Sequence, residues 1–438
     1  MADYSMRFQI PKTLAPTVAR NRFFWVRDST RDSFVSTLLP RHEALGPRLA
    51  ALGPVSEANV DLVRLAVMVY AADRSTPRRA GATNWSRRDL GIEVPASDPS
   101  AWEPVRANLE RLLGFLSGDT WTLRFRKARP PKEQVRGDRF AGAKRVVLLS
   151  GGADSAVGAL LSRHDLGDDS PQVLASHVGM TTLAPTQERV AKRIAELING
   201  PVQFHQQIHF SRHATQLDGS YFRKETSTRT RSFLFLALGL AIASIEGVPL
   251  WIPENGFASL NLPLTADQRG SLSTRTTHPL FLEQFGSLVS AAGAHGQIRN
   301  PLECMTKGEM FGCVTDLIGQ HKAADFLSAT HSCSHTGHRS FGISPLEHCG
   351  VCFGCLLRRA SFLAAGLTDK TSYLAARTAD RPDAYLRSKS MEPSLRAFLA
   401  RGLRASDLAS LTLPASYSTA TARSICERAI SELELLFP

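Results

Sequence analysis

From residue 144 onward, apolar positions follow two alternating periods. Arg145-Val-Val-Leu-Leu149 is a short branched run without alternation, the pattern of a parallel strand buried on both faces. From Ser155 the period becomes helical, with Ala156, Leu160 and Leu161 on one face. A second strand is predicted over 173–177 and a helix over 185–198, stopped by Asn199-Gly200-Pro201. Val202, Phe204, Ile208 and Phe210 alternate as a third strand, a helix follows over about 229–245, and 248–252 reads as a fourth strand. Strands separated by helices of this length predict an α/β fold with a doubly wound parallel sheet over 141–330. Ligands of such sheets sit at the carboxyl ends of the strands, where Ser150–Asp154, 177–180 and Glu254-Asn255-Gly256 fall.

Residues 1–140 read differently. A helix over 56–73 carries Val60, Val63, Val67 and Tyr70 on one stripe; a second carries Trp102, Val105, Leu109, Leu112 and Leu113. A Ser117-Gly118-Asp119 turn precedes an alternating strand over 121–127, and shorter strands are expected at 6–10 and 23–27. The expectation is an N-terminal α+β module without a chemical motif, joined to the rest by a connector over 129–139 rich in Pro, Lys and Arg. At the other end, 331–365 is a metal-binding segment and 366–438 a helical extension with Leu395, Phe398, Leu399 and Leu403 on one stripe.

Composition changes this picture little. A chain of 438 residues predicts two or three domains, and 43% hydrophobic with 21% charged residues is ordinary for a globular protein. The net charge of +12 suits a polyanionic partner, but the bases are scattered and form no long Lys/Arg block. A nucleic-acid partner is thus open without being indicated. Residues 1–7 are polar, which predicts no signal peptide, and the most apolar stretch, 233–243, is too short to span a bilayer. A cytoplasmic protein without membrane contact is expected.

The candidate chemistry starts at Ser150-Gly151-Gly152-Ala153-Asp154-Ser155, between the first buried strand and its helix. Paired glycines allow close backbone approach, and a helix start offers unpaired N–H groups to an anion. Asp154 would repel that anion unless a cation lies between them, and Mg²⁺ on a polyphosphate is the sensible one. The G-x-x-x-x-G-K-[ST] loop is excluded, because no lysine follows the glycines. The run instead resembles the pyrophosphatase (PP) loop of enzymes that split ATP into AMP and pyrophosphate. Arg229 and Arg231 stand at a helix start, where a cation opposes the dipole unless an anion such as a phosphate or substrate carboxylate is near; two solvated arginines are the alternative. Thr306-Lys307-Gly308-Glu309 reads as a capping box that places Lys307 in the same position. Glu254, Asn255 and Asn261 open a long polar segment expected to form the substrate side of the cleft.

Four of the seven cysteines lie between 333 and 355. Cys349-Gly-Val-Cys352-Phe-Gly-Cys355 makes two overlapping C-x-x-C turns, and Cys333 completes a tetrahedron suited to structural Zn²⁺. His331, His335, His338 and His348 crowd the same stretch, so a Cys₃His set is the alternative.

Together, the loop and the C…C-G-x-C-x-x-C-x-x-R pattern resemble the QueC family, the 7-cyano-7-deazaguanine synthases. The matched segments are Ser150–Ser155, Arg229 with Phe233-Leu234, Pro301-Leu302 with Lys307 and Glu309, and 333–362, spread over about half of the chain. The resemblance implies that a 7-carboxy-7-deazaguanine carboxylate attacks the α-phosphate of ATP, and that an amine then attacks the acyl-adenylate. It gives Ser150, Gly151, Gly152, Ala153, Asp154 and Ser155 to ATP and its Mg²⁺, Arg229 and Lys307 to the phosphate charge, and zinc on Cys333, Cys349, Cys352 and Cys355 to bracing the cleft. The N-terminal module, the helical tail and the segment from Glu254 to Pro263 depart from the compact synthases. The longer layout looks like the QatC proteins, QueC-like members of the Qat anti-phage systems, which implies a protein partner from the same defence operon whose N-terminus is the acceptor amine. A nitrile-forming synthase, a tRNA-modifying PP-loop enzyme and a non-catalytic ATP-binding scaffold are the alternatives.

Overall fold

A computed structural model describes residues 1–8, 21–25, 35–36, 53–78, 87–129, 140–179, 183–208, 212, 214, 216, 220–225, 228–264, 275–334, 343–344 and 346–437. Much of the 129–139 connector, and His335 and His338, lie outside them. The strands are β1 (Ala2–Arg7), β2 (Arg22–Trp25), β3 (Val35–Ser36), β4 (Asp89–Ala96), β5 (Thr120–Lys127), β6 (Arg145–Leu148), β7 (Gln172–His177), β8 (Phe204–Ile208), β9 (Leu250–Trp251) and β10 (Ile298–Arg299). They form two five-stranded sheets, ordered β3-β2-β1-β4-β5 and β10-β9-β6-β7-β8.

Every pairing in the second sheet is parallel. The strand β6 is central, as its unbroken apolar run requires, and its successive side chains enter different cores. Val146 and Leu148 meet the Arg231–Glu246 helix side, while Val147 and Leu149 meet the side holding the Ala153–Leu166 and Lys307–Ile318 helices. Parallel α/β sheets flanked by helices are the frame of Rossmann-like nucleotide-binding folds. Among the described residues, no helix is long and apolar enough to cross a membrane.

The N-terminal region departs from the α+β expectation. Strand β1 pairs in parallel with β2 and with β4, and β4 with β5; among the described residues only the β2–β3 pair of this sheet is antiparallel. The pairing is that of an α/β sheet: the Arg106–Ser117 helix carries the chain from β4 back to its parallel neighbour β5, and the Glu57–Ser75 helix leads into β4 beside parallel β1. Strand β1 also starts earlier than residue 6. The region shares one core with the second sheet: Leu62, Ala66 and Tyr70 belong to the same buried cluster as Phe233, Leu236 and Leu240.

A buried ionic knot closes that junction. Asp73, fully buried at the end of the Glu57–Ser75 helix, accepts from the amides of Arg229 (2.8 Å) and Thr230 (3.0 Å) and from the Thr230 hydroxyl (2.9 Å). Its carboxylate thereby caps the Arg231–Glu246 helix from another element, since the N-cap Thr230 makes no capping bond with its own side chain. Arg88 joins Asp73 (2.5 Å) to Asp119 (2.6 Å), and Arg78 grips Asp119 with two bonds of 2.7 and 2.6 Å. Burial works to raise the Asp119 carboxyl, but Arg88 and Arg78 outweigh it and hold it below the ordinary range. Replacing Asp73 with alanine leaves Arg88 buried with one of its two carboxylate partners and the helix start without its acceptor. A loss of about 3–5 kcal/mol is expected in urea denaturation followed by circular dichroism.

Candidate functional site

The glycine loop lies at the carboxyl end of β6, as the strand–turn–helix pattern requires. Gly151 has φ +88°, a left-handed conformation that favours glycine, and Gly152 is the N-cap of the Ala153–Leu166 helix. The two serines brace the turn from inside. Ser155 Oγ accepts the Ser150 amide (3.1 Å), lies 3.0 Å from Ser150 Oγ and donates to the Gly152 carbonyl (3.0 Å); Ser150 Oγ accepts the Gly152 amide (3.2 Å). The first amides of the following helix have no intrahelical acceptor, so the turn presents donors suited to a phosphate. Gln187 Nε2 bonds the carbonyls of Ser150 and His177, each at 3.4 Å, and so spans the ends of β6 and β7. Nothing in the sequence pattern around Gln187 signals this.

Asp154 points at the carboxyl end of β9. Its Oδ1 accepts from Asn255 Nδ2 (2.8 Å) and from the Asn255 amide (3.2 Å), and its Oδ2 pairs with Lys307 Nζ. Asn255 also caps the Gly256–Leu260 helix, its Oδ1 accepting the Ala258 amide (2.9 Å). Asn261 ends that helix in the left-handed region, with φ 53°. Lys307 is buried at the start of its helix, where Thr306 and Glu309 form the expected capping box. Three of the sequence-derived residues therefore converge, and Glu254 joins them through Asn255 Nδ2 (3.4 Å). Asn300 fixes the Glu254 backbone, with Oδ1 accepting its amide (3.1 Å) and Nδ2 donating to its carbonyl (2.8 Å).

Arg229 is not in this group. Its guanidinium donates to the Ser117 carbonyl (2.9 Å), and burial followed by the neighbouring Arg78 lowers its pKa to about 10. The anion that its helix start calls for is Asp73, a residue of the chain itself. Of the preceding residues, Thr226 and Ser227 lie outside the described residues, as do 265–274 of the polar segment.

Two carboxylates and one lysine share the site, and they do not divide the charge evenly. Burial works to raise the Asp154 carboxyl, but Lys307 and the Asn255 donors outweigh it and hold it below the ordinary range. Burial and the adjacent Asp154 push Glu254 up to about 8, against a smaller opposing effect of Lys307. Near neutral pH this leaves Glu254 protonated. Glu254 binds its proton more tightly folded than unfolded, where its pKa is 4.5. Its contribution to stability is complete below about pH 4.5 and is lost as pH rises through about 8. Between pH 5 and 8 this adds a slope near −1.4 kcal/mol per pH unit, which the variant Glu254→Gln should lack in urea titrations.

The cysteines meet as expected. Cys333, Cys349, Cys352 and Cys355 are all buried, with their sulfurs within 4.8 Å of one another, and Cys333–Cys352 and Cys349–Cys355 are 4.0 and 3.9 Å apart. Tetrahedral Zn–S bonds of about 2.3 Å require sulfurs about 3.8 Å apart, so the donor set fits Zn²⁺. Among the described residues no histidine joins the cluster. His348 Nε2 instead accepts the Ser332 amide (3.2 Å). The segment reaches the glycine loop, because the His331 amide donates to the Gly151 carbonyl (2.9 Å). Buried Arg358 bonds Thr330 Oγ1 (2.8 Å), Leu327 O (2.6 Å) and Thr371 Oγ1 (2.9 Å), tying the cysteine helix Phe353–Ala364 to the same stretch.

No family model matches the chain, and no solved structure matches it. Curated relatives do. A 7-cyano-7-deazaguanine synthase of Desulfatibacillum aliphaticivorans is 29% identical over 254 residues, 97% of that protein and 53% of this chain. One from Cupriavidus taiwanensis is 32% identical over 151 residues, 57% of that protein and 34% of this chain. One from Ectopseudomonas mendocina is 28% identical over 243 residues, 98% of that protein. Across about half of its length, this chain is similar to 7-cyano-7-deazaguanine synthases nearly from end to end of those proteins.

Proposed function

We propose that the chain is a QueC-like, ATP-dependent carbon–nitrogen ligase that adenylates the carboxylate of a 7-deazaguanine-type substrate and passes it to an amine. The observation that carries this reading is the Asp154–Lys307–Glu254 cluster at the mouth of the glycine loop. The sheet order, with β6 central and helices on both faces, supports reading the sheet as doubly wound, with ligands expected at the carboxyl ends of its strands.

In this reading the amides after Gly152 take the phosphates. The substrate carboxylate oxygen bonds the α-phosphorus, the bond to the β-phosphate oxygen breaks, and pyrophosphate leaves. Lys307 faces the charge that builds on the phosphates, and Asn255 keeps Asp154 aimed at the same place. Asp154 and Glu254 are hard oxygen donors that would hold Mg²⁺, which neutralises phosphate charge. The amine then bonds the acyl carbon, AMP departs, and the amine proton is lost to solvent. The cysteine cluster would hold Zn²⁺ away from the reacting atoms as a brace. An acceptor on a partner protein, in an anti-phage defence setting, is the finer part of the proposal.

The second reading, a nitrile-forming synthase that uses ammonia and a second ATP, is favoured by the names of the relatives. One incubation separates the two. The protein is given ATP, Mg²⁺ and 7-carboxy-7-deazaguanine, with and without co-expressed neighbours, and pyrophosphate and product masses are followed. A mass increment on a partner supports conjugation, and free nitrile supports the synthase. Absence of AMP and pyrophosphate under every condition overturns both and leaves an ATP-binding scaffold.

A further inference from the structure

Lys307 opens its helix at the end where the dipole opposes a cation. Besides the local capping box, that helix start is held by contacts from the far end of the chain. Glu432, on the Thr419–Glu434 helix, reaches over it: one carboxylate oxygen accepts the Gly308 amide (3.0 Å), and the other accepts the Thr306 hydroxyl. The same helix places Arg428 on Glu309 and on the Cys304 carbonyl (3.0 Å). Glu432 is 9% exposed, so its carboxylate is held in place with little water. A Cβ on residue 308 would lie 2.5 Å from Glu432 Oε1; the glycine makes room for that carboxylate.

We propose that Glu432 is a positioning residue for Lys307. Its two bonds fix the rotation of the first helical turn, and its charge offsets the dipole that opposes a cation there. Lys307 is thereby aimed at Asp154 before substrate arrives. An acid on the carboxyl-terminal helix would then set the geometry of a lysine more than a hundred residues earlier. The proposal rests on the reading of Lys307 as the group facing the phosphates.

The test uses the full chain with Glu432→Gln, Glu432→Asp and, as a control on the same helix, Arg423→Ala, which removes only a surface pair with Glu427. ATP–pyrophosphate exchange with the deazaguanine carboxylate should fall about tenfold in kcat for Glu432→Gln, with the KM for ATP within about twofold. Glu432→Asp should recover part of the loss, and Arg423→Ala should match the parent. A second readout needs no turnover: urea midpoints for Glu432→Gln, Lys307→Met and the double variant. Coupling predicts that the double variant loses less than the sum of the singles. Additive midpoints, or an unchanged kcat in folded Glu432→Gln, overturn the proposal. If the parent shows no exchange, the ligase reading fails while the urea cycle still decides the role of Glu432.

Discussion

Replacing Asp154 with alanine should abolish AMP and pyrophosphate formation, a loss of about a thousandfold or more, while circular dichroism shows an intact fold. The carboxylate does three things at once: it pairs with Lys307, accepts two bonds from Asn255, and acts with burial to hold Glu254 protonated. Alanine removes the anion that holds Lys307 in the cleft, so lysine and asparagine both lose their aim. Asp154→Asn distinguishes shape from charge. It keeps the size and one acceptor for Asn255, yet should be almost as inactive, because the amide cannot bind a divalent cation as a carboxylate does. Turnover by Asp154→Ala at the parental rate would sink the functional reading as a whole.

The second large effect concerns the cysteines. Purified protein should contain about one zinc per chain, and Cys352→Ser should lose it. Three thiols left buried without a metal have no means of holding 331–365 together. A fall in Tm of roughly 3–5 °C is expected, corresponding to a few kcal/mol in a chain of this size. Exchange activity should fall with it, because the His331 amide holds the glycine loop through Gly151. Metal analysis and differential scanning calorimetry check both parts; a metal-free preparation melting at the parental temperature would refute them.

Local signals were legible in the sequence where the physics is local. Thr306 and Glu309 are three residues apart, and their capping box forms as the spacing requires. The glycine loop and the four cysteines likewise carry their geometry in their spacing. Strand β4 was not legible, although it sits inside the first sheet, because Gly91 and Pro95 break its apolar alternation. Arg229 illustrates a subtler limit. A cation at a helix start does call for an anion, and the structure supplies one in Asp73, 156 residues away. The need was local, but the supplier was not. The same holds for Asn300 under Glu254 and for Gln187 across two strand ends, where amide side chains serve as fasteners without a pattern in sequence.

The continuity of the core across the first two hundred and forty residues bears on how this protein can be cut. A fragment beginning near residue 141, trimmed to the size of its compact relatives, would strip the cover from Phe233, Leu236 and Leu240 and leave the helix that carries them without its borrowed cap. Such a fragment should come out of cells as inclusion bodies. Anything that grips the amino-terminal sheet pulls on the same scaffold that carries the glycine loop.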